Sequence, residues 1–441
     1  MGNDFSRRNF LKTIGIGAAA AGTSGISLPA LAQTKKPIPT TPIKVAAVSF
    51  LTGAAAAPFG IPGDNAYRML AEKINAEGGI LGRKIDLQSK DEAGGVDAQV
   101  KLARKLILED KMDVILGYIS SASCLAVLPL SDELGGLIYA YDCGTHELME
   151  GKSSPFKVPK FQLGFRTSAH LGIDNIGLAR MIKKHLPKVK KIAGINQDYA
   201  WGRDSWEIFE AAMKKLVPGV EVVKTVWPPL GNTDFTAHIS ALMGAGPEVI
   251  HTSIWGGDAV TFTKQAMGMG LFKNIKTAWS RGEPYPQEIG KDFPEEQFIC
   301  CAGTHYFLYP PQDKNALNKW FVDEYKKRYG KYPTYPCYHA YQAIYSYKNA
   351  VEKAAKTAGG WPTGEEIAKA MNGLSFPTPS GTLAFREDHN AIEDVLVGIT
   401  KMTPQYPFPI LDPKRLEVFP AKDIIAPVGT RTVDWINSWK V

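Results

Sequence analysis

The sequence predicts an α/β protein with parallel sheets, and three observations carry that prediction. Apolar runs rich in Val and Ile, bounded by turn residues, recur along the chain as strands buried on both faces do. Amphipathic helical patterns separate them, and strand–helix–strand units of this length require parallel pairing with right-handed crossovers. Roughly 400 residues remain once the first segment is set aside, which usually means two domains with separate cores.

The first unit runs from Ile43 to Gly95. IKVAAVSF reads as a buried strand, LTGAAAAPFG as a loop of small residues, DNAYRMLAEKINAEGGILGRKI as an amphipathic helix ended by Gly78-Gly79, and IDLQSKDEAGG as the continuation. The loop lies at the end of the strand where open α/β sheets bind ligands. Further strands are expected at Asp113–Gly117, Leu137–Tyr141, Lys191–Asn196, Val220–Val226, Glu248–Thr252 and Lys276–Trp279. Helices are expected between them at Asp97–Glu109, Leu125–Leu134, Asp174–His185, Ser205–Leu216, Asp234–Met243 and Ala259–Met269. YPTYPCYHAYQAIY reads as a helix and its lead-in, and the Pro-rich stretch Gln405–Val441 as irregular cover.

Residues 1–32 have the three parts of a secretory signal: a basic start (Arg7, Arg8, Lys12), an Ala-rich apolar run from Ile14 to Ala21, and Ala30-Leu31-Ala32 as a cleavage site. SRRNFLK fits the twin-arginine export pattern, which implies delivery of an already folded protein to the periplasm. The apolar run is well short of the roughly 20 residues that span a bilayer. Gly15-Ile16-Gly17 is no dinucleotide loop, because no strand precedes it and Ala20 stands where a glycine is needed. The formal charge is +7, or +5 without this segment, and the excess is dispersed, which argues against a nucleic-acid partner.

The five cysteines, Cys124, Cys143, Cys300, Cys301 and Cys337, have no CxxC spacing that would indicate zinc or a redox pair. Adjacent Cys300 and Cys301 rarely form a relaxed disulfide; one unnamed bridge stays open in an oxidising periplasm, and the leading expectation for the set is reduced, buried thiols. No GxSxG elbow, P-loop or HExxH is present. Asp258, His251, His305, His339 and His389 fall in different elements, so neither catalysis, a cofactor nor a metal is expected.

INAEGGILGRKIDL followed by the acidic DEAGG resembles the opening of type I periplasmic solute-binding proteins, the branched-chain amino acid receptor group of ABC importers. The resemblance implies two Rossmann-like lobes with parallel central sheets joined by three crossovers. Lobe one would occupy 43–165, completed by about 304–380, and lobe two 166–303, completed by about 381–441. Crossings would fall near Phe165-Arg166-Thr167, Cys301–His305 and Ser380–Phe385. The implied function is capture of a branched-chain or other apolar amino acid by a monomer, then transient docking on an ABC permease with its ATPase subunits. Receptors for aromatic carboxylates, amides and urea share the pattern, and a ligand-sensing module for a signalling partner is the alternative of another class.

The same resemblance places a ligand-carboxylate contact on Ser121, shared with Ser120, at the start of the helix after DVILGYISSAS. A plain helix N-cap is the competing role. LIYAYDCGTHEL matches a segment that contacts both ends of an amino acid, at Asp142 and Gly144. Asp142 departs from the usual small residues there and would suit an ammonium or amide donor. Phe59 matches a covering aromatic or packs under its own loop. Tyr199 and Trp255 are the matching walls of lobe two, with Trp201 close behind and Gly256-Gly257 permitting close backbone approach. Asp258 reads as a helix N-cap. In WSRGEP, Glu283 is the candidate partner of a ligand ammonium and Arg281 its rival, which would favour a second carboxylate.

Overall fold

The computed structural model describes residues 36–440 apart from residue 312. Residues 1–32, where a signal segment and its cleavage site are expected, lie outside the described residues. Strands β1 (Ile43–Ser49), β2 (Ile85–Asp91), β3 (Val114–Gly117), β4 (Ile138–Ala140) and β5 (Gly164–Arg166) form a five-stranded sheet in the order β2-β1-β3-β4-β5. Every pair is parallel. β1 is buried at six of its seven positions, as its unbroken apolar run requires when both faces are covered.

A second sheet begins with β6 (Lys191–Ile195), β7 (Glu221–Val226), β8 (Val249–Thr252), β9 (Lys276–Trp279) and β10 (Phe298–Cys300), all paired in parallel. The chain then builds helices Ala316–Tyr329 and Tyr335–Ala358, the latter packed on helix Ile61–Ala76 of the first lobe. A small antiparallel sheet of β11 (Ser375–Thr378), β12 (Gly381–Phe385) and β13 (Ala391–Ile392) follows, so Ser380–Phe385 serves there. The chain re-enters the second sheet at β14 (Val395–Lys401) and completes it with β15 (Ile410–Phe419), giving the order β15-β14-β10-β9-β8-β6-β7. Each sheet with its helices is one lobe.

Two expectations are corrected here. Gln405–Val441 is not irregular: Ile410–Phe419 pairs antiparallel with β14, and helix Thr432–Asn437 follows. A ten-residue edge strand with a charged solvent side, DPKRLE, lacks the even apolar run that marks the central strands. The single helix expected over 125–134 is two, Ser121–Val127 and Leu130–Leu134, divided at Pro129, whose ring has no N–H to continue the ladder. The first helix ends beyond Ala76 as its glycines demand. Gly79 has φ +82°, and a Cβ there would lie 2.0 Å from Arg83 O.

Candidate functional site between the lobes

The C-terminal ends of β3, β4, β8 and β9 face one another across the lobes. Ile119, Ser121, Asp142 and Gly144 from lobe one meet Tyr199, Trp201, Trp255 and Arg281 from lobe two, with Tyr335 at the start of its long helix. The cavity they line is only about 20 Å³, room for about one water, so the lobes are closed on each other. Direct contacts hold that closure. Gly257 N donates to Ala54 O of the first loop at 2.9 Å, and Thr145 Oγ1 donates to Asp204 Oδ2 at 2.5 Å. The glycines Gly256-Gly257 thus admit the other lobe's loop.

Arg281 dominates the electrostatics of this space. It is 4 % exposed, and its guanidinium donates from Nε to Asp174 Oδ2 at 3.0 Å and from Nη1 to Asp142 Oδ1 at 2.9 Å. Further bonds reach the carbonyls of Asp142 and Ala169. Burial works against its charge, but Asp174 and Asp142 outweigh it and hold the guanidinium firmly protonated. Its plane lies 5.2 Å from the Trp201 ring, a cation–π distance.

Asp142 is fully buried, and burial pushes its carboxyl up to about 7 against the pull of Arg281. Oδ1 is shared between Arg281 and His339 Nδ1, the latter 2.7 Å away. Oδ2 has no hydrogen-bond partner among the described residues, which leaves a buried acceptor at the cavity that is costly to keep unpaired.

Ser121 opens helix Ser121–Val127, and its Oγ accepts from Thr145 N at 3.4 Å. Neither Ser120 nor Ser121 makes a side-chain cap bond, so the plain N-cap role is not what holds these serines. The amides of Ile119 and Ser120 donate instead to the two oxygens of Glu92, at 2.7 and 2.8 Å. Glu92 is 1 % exposed and burial pushes it up to about 8 despite those bonds. Gly144 is explained by Trp201: a Cβ there would fall 2.1 Å from the indole edge.

Phe59 is fully buried and sits 5.8 Å from Trp255 and 5.6 Å from Tyr335, so it joins an aromatic cluster that spans the lobes. Tyr199 precedes helix Ala200–Leu216 and lines the cavity beside Trp201. Glu283 does not line it. After β9, Arg281 at φ +55° turns the chain, and Glu283 faces a separate apolar pocket with Ile299, Tyr306 and Phe307, where Oε2 accepts the first amide of helix Tyr335–Ala358. Asp258 is not an N-cap either. It accepts from Gln197 Nε2 and Gly231 N, both at 2.7 Å.

The expectation of five reduced thiols is corrected for one pair. Cys124 and Cys143 form a disulfide, while Cys300, Cys301 and Cys337 are free and buried. The pairing follows from the sheet. Neighbouring parallel strands β3 and β4 deliver the two cysteines to one edge with Cα atoms 6.4 Å apart, within disulfide reach. The bond ties the Ser121 loop to the Asp142 loop, and closing a loop of this size is worth roughly 3 kcal/mol.

Ile119, Glu92 and Asp174 were not singled out for this site by the sequence, nor were Tyr335 and His339. The last two, one helical turn apart, reach it from the lobe-one helix, and their only signal was the aromatic density of YPTYPCYHAYQAIY.

A two-lobed α/β molecule with an enclosed site at the facing sheet edges is the class of protein that fold and geometry define. The chain belongs to the periplasmic binding protein family, whose profile matches residues 42–401. It is 26 % identical over 362 residues to the Leu/Ile/Val-binding protein homolog 4 of Brucella abortus (strain 2308), covering 79 % of this chain and 82 % of the relative. It is 24 % identical to the leucine-, isoleucine-, valine-, threonine-, and alanine-binding protein of Pseudomonas aeruginosa, covering 78 % and 86 %. Among solved structures, it is similar to a solute binding protein of an ABC transporter from Rhodopseudomonas palustris BisB5 in complex with 3,4-dihydroxy benzoic acid. The TM-score is 0.74 at 25 % identity, with 87 % of this chain and 98 % of that one covered. The leucine binding protein LivK of Thermotoga maritima has the same fold, with TM-score 0.72 at 22 % identity, covering 86 % and 99 %.

Proposed function

We propose that this chain captures an apolar α-amino acid, a branched-chain one foremost, in the inter-lobe site and delivers it to an ABC permease. The observation that carries the reading is the pairing of opposite charges at one small site. Asp142, with its free Oδ2, answers an ammonium, while the Ser121 hydroxyl and Arg281 answer a carboxylate. Phe59, Tyr199, Trp201, Trp255 and Tyr335 supply apolar surface for the side chain. Capture is a hinge motion: the lobes part, the solute enters, and closure buries it without any covalent step. A second reading, an aromatic carboxylate, is favoured by the same arginine and aromatic rings and by the Rhodopseudomonas relative in complex with 3,4-dihydroxy benzoic acid.

A thermal-shift screen tests the two together, because a ligand that binds only the folded state raises the melting temperature. A shift with leucine, isoleucine or valine supports the first reading. A shift confined to hydroxybenzoates replaces it with the second. With the responding ligand, Ser121→Ala is expected to weaken binding by about 1–3 kcal/mol in calorimetry with little change in stability, since one hydrogen bond to a charged group is lost. An unchanged Kd removes Ser121 from the site.

The chain works in the periplasm, and the twin-arginine route is part of this proposal, supported by SRRNFLK. Replacing Arg7 and Arg8 with Lys is expected to leave the precursor in the cytoplasm, seen by fractionation and immunoblotting. Normal export of the double variant would assign it to the general secretory route.

A further inference from the structure

The sequence scatters its histidines over separate elements, but the fold gathers two of them. His305, in the connection that leaves β10, His339 on the long helix, and Glu393, just before β14, are all buried, and their potential ligand atoms lie within 4.8 Å of one another. We propose that these three side chains form a binding site for a zinc-class divalent metal ion where the chain passes between the lobes.

Four features argue for a site and not a chance cluster. First, His305 Nε2 lies 3.2 Å from Glu393 Oε2, close to the roughly 3.3 Å edge of a tetrahedron with zinc–ligand bonds of about 2.0–2.1 Å. Second, each imidazole is held from behind at Nδ1, His305 by Ser380 Oγ at 2.8 Å and His339 by Asp142 Oδ1 at 2.7 Å. That arrangement leaves the Nε2 atoms for a metal and reproduces the carboxylate–histidine–metal relay that orients such ligands. Among the described residues His305 Nε2 faces only Glu393 Oε2, and His339 Nε2 has only the Ala302 carbonyl at 3.2 Å.

Third, Glu393 is itself positioned. Oε1 accepts from Ala169 N at 3.1 Å and Oε2 from Gln342 Nε2 at 2.7 Å. Fourth, space and access are present. Gly303 leaves open the ground beside the pair, since a Cβ there would lie 2.5 Å from His305 Nε2 and 2.9 Å from Glu393 Oε2. A cavity of about 220 Å³ lined by Thr304, Ser380, Glu393 and Asp394 reaches the carboxylate from outside. Two neutral imidazoles and one carboxylate are a borderline-soft donor set that suits zinc better than calcium or magnesium, with a fourth position left for water or the Ala302 carbonyl.

The competing account is a direct His305–Glu393 pair with no affinity for metal. The test uses the mature protein, stripped with a chelator and titrated with Zn²⁺ and with Co²⁺. The expected result is saturable binding at one ion per chain, a rise in Tm, and visible Co²⁺ absorption of the tetrahedral type. X-ray absorption of the zinc-loaded protein should then show imidazole scattering, a measurement that needs no variant. His305→Ala should lose the binding, and Asp142→Asn should weaken it about 10–100-fold, as loss of an orienting partner does. Absence of saturable binding, or zinc affinity unchanged in His305→Ala, would overturn the site and leave the direct pair. The readout is metal occupancy, so failure here leaves the solute-binding proposal untouched.

Discussion

Arg281→Leu should cost about 3–5 kcal/mol of folding stability, the loss expected when one member of a buried ionic cluster is removed and its partners stay behind. The reason lies in what remains. Asp142 and Asp174 each have a carboxylate oxygen on the guanidinium and both are buried, so without it two acids sit desolvated with no cation. The backbone carbonyls of Asp142 and Ala169 also lose their donor. Arg281→Lys keeps the charge but not the fork that bridges both lobes, and should fall between wild type and Leu. Urea unfolding at pH 7 measures the series. Adding Asp142→Asn to Arg281→Leu should recover part of the loss, because one stranded carboxylate is gone. A single-variant loss below about 1 kcal/mol would mean that water reaches this cluster and that the ion pairs contribute little.

Much of the fold was legible because its signals are local. Val/Ile runs, the glycines after Ala76 and the amphipathic helices mark β1 to β4 and β6 to β9 with small errors at the ends, whereas the short β5 falls where the sequence reads as a crossing between lobes. The edge strand Ile410–Phe419 was hidden because its outward face is charged, so periodicity reads as polarity. The site divides along the same line. Ser121, Asp142, Gly144, Tyr199 and Trp255 follow strands at the facing edges, and chain position alone brings them together. Glu283 and Arg281 could not be separated, because which of two residues in one turn faces the cleft depends on a backbone dihedral, not on a pattern. Glu92, His339 and the Cys124–Cys143 bond reach the site through tertiary contacts between elements far apart in sequence.

Glu283→Gln should make the protein more stable at pH 8 while changing it little at pH 5. Glu283 is 6 % exposed among Ile299, Tyr306 and Phe307 with no cation beside it. Burial pushes its carboxyl from 4.5 up to about 8, and the single amide bond from Tyr335 only partly opposes that. Between those values the folded chain keeps a proton that the unfolded chain has released, so stability must fall as pH rises through this window. The slope is at most about 1.4 kcal/mol per pH unit for one group, which makes a few kcal/mol by pH 8 the expected scale. Glu92, also pushed up to about 8 by burial, acts in the same direction. His251 acts the other way. Burial holds it near 3 from an ordinary 6.5, so it stabilises as pH rises to 6.5 and partly masks the glutamates below that point. Asp142, pushed up to about 7, and Glu92 also titrate between pH 6.5 and 8, so the difference between variant and wild type, and not either curve alone, isolates Glu283 in that window. Gln retains a carbonyl oxygen for the Tyr335 amide and cannot ionise, so the gap between variant and wild type in urea unfolding should widen steadily across that window. Parallel curves would show that Glu283 is already ionised in the folded protein, with water or a neighbouring group stabilising its charge in the pocket.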